Sequence, residues 1–341
     1  MNIKSLLLGS AAALVAVSGA QAADAIIAAE PEPMEYVRVC DAFGTGYFYI
    51  PGTETCLKIS GEVRATLGLS DGVDSGLDWG TDVRARLAFE AKNDSEIGTI
   101  GSYIRIQAEQ GDGFAREAVL LDQAYITVGG LKVGRALTWA DDWGLAGESD
   151  DFFGRARFNT ISYTYTTDAF TVGLGVDDLS AGYVGGEEVG VEGVVSAAFG
   201  PASVVVNGVY DFGSEEGAIA GVISADLGPG TLGIAGAWAS GQSAGYRFNS
   251  EWTIGAAYTV KATEKLSITP QVMYYGDINS GGLFAAAGNR GAFVSADAWA
   301  ADLLVEYQMA AGLKASANII YADADGSDDT WGGFVRLTRS F

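Results

Sequence analysis

Five arginines occur at alternate positions of segments in which apolar and polar residues alternate. Val83, Ala85 and Leu87, for example, interleave with Arg84 and Arg86. Successive side chains of a strand point to opposite faces, so the polar positions share one face. By this parity, these arginines point to the same side as Lys58: Arg64, Arg84, Arg86, Arg105 and Arg336. The chain has only 20 Lys and Arg, so a group of six on one face of a few strands indicates a basic surface, which we call the basic wall. The alternative is that some polar positions are Arg by chance.

A second charged group lies in residues 137–156, LTWADDWGLAGESDDFFGRA. Its carboxylates are Asp141, Asp142, Glu148, Asp150 and Asp151, and its aromatic residues are Trp139, Trp143, Phe152 and Phe153. Such aromatic side chains are usually buried, so we expect this long link to pack against the basic wall. Opposed charges would then create a transverse field that orders water and disfavours apolar solutes. The alternative is an exposed loop, with Arg155 and Arg157 as its local counter-charges.

Catalytic and metal-binding residue sets are missing from the sequence. The chain has no His, which removes the commonest general base and metal ligand. No glycine-rich phosphate-binding motif follows a strand and opens a helix. Carboxylate pairs such as Asp141 and Asp142 lie in acidic stretches with nothing to pair against. We therefore predict no enzymatic activity, no cofactor and no metal, and the net charge of -23 argues against nucleic acid as a partner.

The N-terminus has the pattern of an export signal. Lys4 precedes an apolar run over residues 6–17, which is too short to span a bilayer as a helix. An A-x-A site predicts cleavage after Ala22. The two cysteines of the exported chain, Cys40 and Cys56, are expected to form a disulfide that stabilises by about 3 kcal/mol in the chain-entropy model. Residues 23–56 are then a periplasmic N-terminal segment.

Alternating strands account for the rest of the chain. We count sixteen candidates in the segments 57–69, 79–91, 99–110, 118–128, 131–137, 157–166, 169–176, 187–199, 202–212, 218–227, 231–240, 249–261, 266–276, 297–308, 312–322 and 330–341. Their links alternate between tight turns and longer loops. Residues 57–341 are therefore predicted to be all-β, a transmembrane antiparallel β-barrel of about 16 strands with the long third loop folded into the lumen. Closure would place Arg336 beside the first strand.

Aromatic residues near the strand ends have the outward parity. They are Phe89, Tyr163, Tyr165, Phe170, Trp238, Trp252, Tyr258, Tyr274, Trp299, Tyr307 and Tyr321. Amphipathic rings are favoured at the level of the lipid headgroups, so these residues indicate two aromatic girdles. The alternative is ordinary β-propensity.

Several stretches resemble the alphaproteobacterial porins, the general diffusion porins of the outer membrane. They are the leader MNIKSLLLGSAAALVAVSGAQAADA, the run EYVRVCDAFGTGYFYIPGTETCLKISGEVR, the VGR before the long third loop, and the terminal Phe341. The resemblance implies a sixteen-stranded barrel, a homotrimer and passive diffusion of small hydrophilic solutes. Carried over by position, it implies a constriction between the basic wall and the acidic loop named above.

The expected function is therefore a water-filled channel in the Gram-negative outer membrane, with a mild preference for cations from its acidic loops. The alternatives are a substrate-specific channel on the same barrel and a structural surface barrel. Expected partners are outer-membrane lipid, lipopolysaccharide, and the barrel assembly machinery, which would read Phe341 as its C-terminal signal. Small residues assigned to the outer face could allow contact between protomers: Gly173, Ala235, Gly236 and Ala301.

Overall fold

The computed structural model describes residues 37–71, 77–111, 119–182, 188–282 and 291–341. The predicted signal peptide, residues 1–22, and the stretch that follows it to residue 36 lie outside these ranges. The pattern of residue contacts divides the chain into two units. The first is Met1–Arg38, of which only Val37 and Arg38 are described, and the second is Val39–Phe341. All that follows concerns the second unit.

Strands make up most of the described residues. They are β1 (Phe48–Tyr49), β2 (Cys56–Asp71), β3 (Leu77–Asn93), β4 (Ile100–Gly111), β5 (Leu120–Val128), β6 (Leu131–Leu137), β7 (Arg157–Thr166), β8 (Phe170–Asp178), β9 (Val189–Phe199), β10 (Ala202–Asp211), β11 (Glu216–Leu227), β12 (Gly230–Ala239), β13 (Ser250–Lys261), β14 (Leu266–Ile278), β15 (Ala298–Ala310), β16 (Leu313–Ala324) and β17 (Thr330–Ser340). Two short 3₁₀ helices, Trp139–Asp142 and Ser180–Gly182, are the helical elements in these ranges. Neither has the length or apolar character that a bilayer-crossing helix needs.

Strands β2 to β17 form one closed antiparallel barrel. Each strand pairs with the next along the chain, and β17 pairs with β2 in a register from Gly332↔Ser70 to Ser340↔Glu62. Backbone hydrogen bonds between Gly61 and Phe341 extend this seam. The prediction of sixteen strands is confirmed, and every predicted strand agrees with the observed one to within two residues at each end.

The alternating sequence produces one apolar face and one polar face, as predicted. In β7, Phe158, Thr160 and Ser162 are buried, while Ile161 and Tyr163 are exposed. Exposed apolar residues therefore lie on the outside of the barrel, because the buried positions contact residues inside it. Two assignments of parity were wrong.

Gly173 faces inward, because a Cβ atom placed on it would contact the ring of Trp139. Ala235 also faces inward and is 1% exposed within the interior cluster. Each residue shares its parity with a buried neighbour on its own strand, Gly173 with Gly175 and Ala235 with Ala237. Gly236 and Ala301 remain on the outer face.

Aromatic rings on the outer face form contacts at the end of the barrel that carries the long loops. Trp252 contacts Tyr274 at 5.3 Å between ring centroids, and Tyr321 contacts Trp299 and Trp331 at 5.0 and 4.8 Å. Cross-strand aromatic pairs occur in antiparallel sheets generally, so these contacts agree with a girdle and with ordinary β-propensity alike, and the two girdles stay a prediction.

The short-turn end carries the disulfide predicted between Cys40 and Cys56. β1 pairs with Cys56 and Leu57 at the start of β2. Tyr47 is buried against the disulfide, and its ring lies 5.7 Å from the Lys58 ammonium and 5.4 Å from that of Lys92. Since Lys58 and Lys92 have inward parity, this disulfide-closed segment lies against the inner wall.

Candidate functional site

Residues 138–156, which we call the lumen loop, connect β6 to β7 and begin against the inner wall. The backbone N–H of Trp139 donates to Glu192 on β9 at 3.0 Å. Asn207 on β10 donates its side-chain amide to the carbonyl of Trp139. Glu192 and Asn207 are both buried on the inward face of their strands. The loop therefore contacts the inward face of β9 and β10 as soon as β6 ends.

The tip of the lumen loop is bonded to β14 and β15. The Ser149 hydroxyl donates to Asp302 at 2.5 Å, and Gln271 donates to the same hydroxyl at 2.9 Å. Gln271 also accepts from the Gly147 N–H at 2.8 Å, while the Tyr275 hydroxyl donates to the Ser149 carbonyl. These four contacts fix the tip against one side of the wall.

The returning half of the lumen loop pairs with residues 241–249, which we call the inner segment. Gly154 and Arg155 donate their N–H groups to the carbonyls of Arg247 and Tyr246, at 2.7 and 2.9 Å. The rings of Phe152 and Phe248 stack with centroids 5.6 Å apart. This aromatic cluster explains why the loop carries residues of the buried type.

The sequence predicted residues 241–248 only as one of the longer links and missed their inward position. Their anchor is Asp211 at the end of β10, which accepts from the Ser243 hydroxyl at 2.5 Å and the Gly245 N–H at 3.1 Å. Tyr246 donates to Asp177 at 2.9 Å. Inward carboxylates on otherwise apolar strands were the available signal.

The basic wall is largely paired with carboxylates of the wall itself. Arg84 contacts Glu62 at 2.5 Å, and Arg86 lies 3.8 Å from the same carboxylate. Arg105 pairs with Asp122, which is 5% exposed and also holds Arg157 at 3.1 Å. Arg157 is therefore a partner of the wall and not of the loop carboxylates. Sequence reasoning overlooked Glu62 and Asp122, although Glu62 precedes Arg64 by two residues and so has the same parity.

One contact joins the predicted loop acids to the predicted basic wall within the described residues: Glu148 accepts from Arg336 at 3.3 Å. Asp150 instead accepts from the N–H of Leu145 in its own loop, and burial raises its pKa to about 6. Asp141 and Asp151 are exposed. The side chain of Asp142 lies outside the described part of the structure.

Two cavities remain beside the loop tip. One, of about 490 Å³, has a charged lining that includes Arg64, Arg84, Glu148 and Arg336. The other, of about 370 Å³, lies between residues 144–146 and the hydroxyl-bearing and apolar residues of β11 to β13. Among the described residues, no group of three or more Asp, Glu or Cys side chains could hold a metal ion. The arrangement offers charged, water-accessible space across a closed barrel.

The sequence is similar to those of known outer-membrane proteins. Residues 24–335 match the family model described as the Porin subfamily. The chain is 40% identical to outer membrane protein IIIA of Rhizobium leguminosarum, with 100% of this chain and 95% of the relative covered. It is 33% identical to porin Omp2a of Brucella suis, with both chains covered in full.

A solved structure has the same fold at low sequence identity. The trimer form of OmpT, an outer membrane protein of Vibrio cholerae, superimposes with a TM-score of 0.61 at 14% identity and covers 85% of this chain and 100% of its own. With the closed sixteen-stranded barrel and its charged lumen, these matches agree on one family. The chain belongs to the porin subfamily, and it is an outer-membrane protein that forms a diffusion channel.

Proposed function

We propose that the channel is narrowed where the lumen loop faces the basic wall, and that small hydrophilic solutes and ions diffuse passively through the remaining space. The observation that carries this proposal is the contact of Glu148 with Arg336, made by a loop that is bonded to the inner wall on both sides of it. Opposed charges across a narrow lumen act on the dipoles of passing water and solutes. No chemical step takes place.

The constriction in this proposal has a basic side and an acidic side. The basic side is formed by Arg64, Arg84, Arg86, Arg105 and Arg336, and the acidic side by Asp141, Asp142, Glu148, Asp150 and Asp151. Glu62 and Asp122 lower the net charge of the basic side through their ion pairs. A weak preference for cations follows from the excess of 43 acidic over 20 basic residues.

The biological unit in this proposal is a homotrimer. Support comes from the trimer form of the OmpT structure, which shares the fold. Export through a signal peptide cleaved after Ala22, contact with lipid and lipopolysaccharide, and recognition of Phe341 by the assembly machinery belong to the same proposal. The position of Phe341, paired with Gly61 at the barrel seam, gives that last residue a structural role as well.

Planar-bilayer recording of the purified, folded protein tests the function. We expect stepwise openings in groups of three and a reversal potential in a KCl gradient that indicates mild cation preference. Glu148→Arg should shift the reversal potential toward anions, since it replaces the loop carboxylate that contacts Arg336. Glu264→Arg, in a short turn, is the matched control and should leave the potential unchanged. Silence from protein shown to be folded and inserted contradicts the proposal.

A further inference from the structure

The positive and negative side chains that line the charged cavity of about 490 Å³ are unequal in number. It is enclosed by residues from β2, β3, β15, β16 and β17 and by the lumen loop. Its cations are Arg64, Arg84, Lys314 and Arg336, and its carboxylates are Glu62, Glu148 and Glu306. One cation therefore has no carboxylate of its own within this cavity.

The three carboxylates are each paired with a different cation. Glu62 contacts Arg84 at 2.5 Å and Glu306 contacts Lys314 at 2.5 Å. Glu148 reaches Arg336 at 3.3 Å. Within the described ranges, Arg64 forms no ion pair, and its buried Nε has no hydrogen-bond partner. The unmatched charge of the cavity is thus that of Arg64.

The nearest cationic and hydroxyl neighbours of Arg64 favour an anion beside it, while the carboxylates of Asp82 and Glu62 act on it without forming an ion pair. Arg84 and Thr338 are its cross-strand partners in β3 and β17, and Arg336 lies one inward position along β17. The Nε of Arg336 is also buried without a partner. A guanidinium presents N–H donors in a planar fork that matches the oxygens of a carboxylate or a phosphate.

Hydroxyl groups complete the lining of the cavity. Ser316, Thr338 and Ser340 border the same space, and each can donate to an oxygen of a bound anion. Phosphate and small carboxylates share this requirement for several donors around a compact negative charge. A cation would meet an unpaired guanidinium in this cavity and would be repelled.

We propose that Arg64 is the centre of a binding subsite for small oxyanions, that is carboxylates and inorganic phosphate, within the lumen. The proposal rests on the proposed function, because the subsite lies on the diffusion path. It assigns to one arginine of the basic wall a role that Arg84, Arg105 and Arg336 lack, since carboxylates of the protein already occupy those three. A channel with an excess of acidic residues would thereby still have one binding site for anions.

The test uses the full-length, folded protein in a planar bilayer with symmetric KCl and a buffer free of oxyanions. Inorganic phosphate or acetate is added, and single-channel conductance is followed. We expect each anion to lower the single-channel conductance in a saturable manner. Arg64→Gln should weaken this effect by about tenfold. The charge-balanced double variant Lys92→Gln with Glu90→Gln should keep the effect, because it removes an ion pair that lies outside the cavity.

Glu62→Gln provides an independent arm. It frees Arg84 beside Arg64, so the apparent affinity for phosphate should increase; this arm stands even if Arg64→Gln fails to fold. A channel that conducts but responds to neither anion, or an Arg64→Gln variant that responds like the unmodified protein, overturns the subsite alone. An unmodified protein that does not conduct overturns the proposed function instead. Acetate and phosphate together establish whether carboxylates, phosphate or both occupy the subsite.

Discussion

Asp302 on β15 is the wall residue whose loss should release the tip of the lumen loop. It is 5% exposed and accepts from the Ser149 hydroxyl at 2.5 Å and from the Glu148 N–H at 3.3 Å. Asn318 on β16 donates to it at 3.1 Å and holds the carboxylate in place. Asp302→Ala removes both contacts to the loop and leaves the barrel ladder intact.

The size of the effect follows from these contacts. A hydrogen bond to a charged group contributes about 1.5 to 3 kcal/mol, and the contact to Glu148 is long, so the two together are worth about 3 kcal/mol. Removing a buried charge offsets about 1 kcal/mol. The net change of about 2 kcal/mol raises the unseated fraction of the loop roughly 30-fold.

Single-channel recording detects this change as greater open-channel noise and transient excursions to higher conductance. Glu306→Ala is the matched control, because Glu306 has the same parity on β15 and pairs with Lys314 without touching the loop. We expect noise from Glu306→Ala to equal that of the unmodified protein. Equal noise in Asp302→Ala and Glu306→Ala would mean that Gln271 and Tyr275 suffice to hold the tip.

Three further predictions concern the loop, the N-terminal segment and the seam. Burial raises the pKa of Asp150 to about 6, so its contribution to loop stability is full below its ordinary pKa of 3.8 and is lost as pH rises through about 6. Open-channel noise should therefore increase between about pH 4 and about pH 6 and level off above that, and Asp150→Asn should abolish this dependence; an unchanged profile in the variant assigns it to another group. Replacing Cys40 and Cys56 by Ser removes a cross-link worth about 3 kcal/mol, so limited proteolysis should cleave residues 40–56 faster while the barrel resists; equal cleavage rates would show that Tyr47 and its lysines hold the segment alone. Gly61→Ala places a Cβ 2.7 Å from the Arg86 carbonyl oxygen on β3 and 2.7 Å from the Phe341 ring, and it should lower the temperature at which the folded band disappears in gel electrophoresis, whereas Gly68→Ala, with its nearest atom at 3.8 Å, should not; identical midpoints would contradict a contribution of these close contacts to stability.

The strands were predictable because each one faces lipid on one side and the lumen on the other. That requirement writes a period of two into the sequence, and Pro, Gly and Asp mark the turns between. Parity also placed Arg64, Arg84 and Arg336 on one stretch of wall, since β17 must pair with β2 in a closed barrel. These inferences depend only on local pattern and closure.

The partners inside the lumen were not predictable in the same way. Glu62 has the same inward parity as Arg84, but parity carries no information on which charges come within bonding distance. Arg105 pairs with Asp122 because a bulge between β4 and β5 brings that carboxylate inward. The inner segment likewise depends on Phe152 meeting Phe248, two residues almost a hundred positions apart, and no local period records such a contact.

The seam between β2 and β17 must close before the barrel can be stable in the membrane, so closure and insertion occur together. Until these two strands meet, both expose unpaired N–H and C=O groups, which hydrocarbon does not tolerate. The hydrogen bonds between Gly61 and Phe341 join the first and last strands of the barrel, so a partly formed barrel cannot make them. Substitutions along this seam should therefore slow insertion into the membrane. The conductance of the molecules that do insert should stay the same.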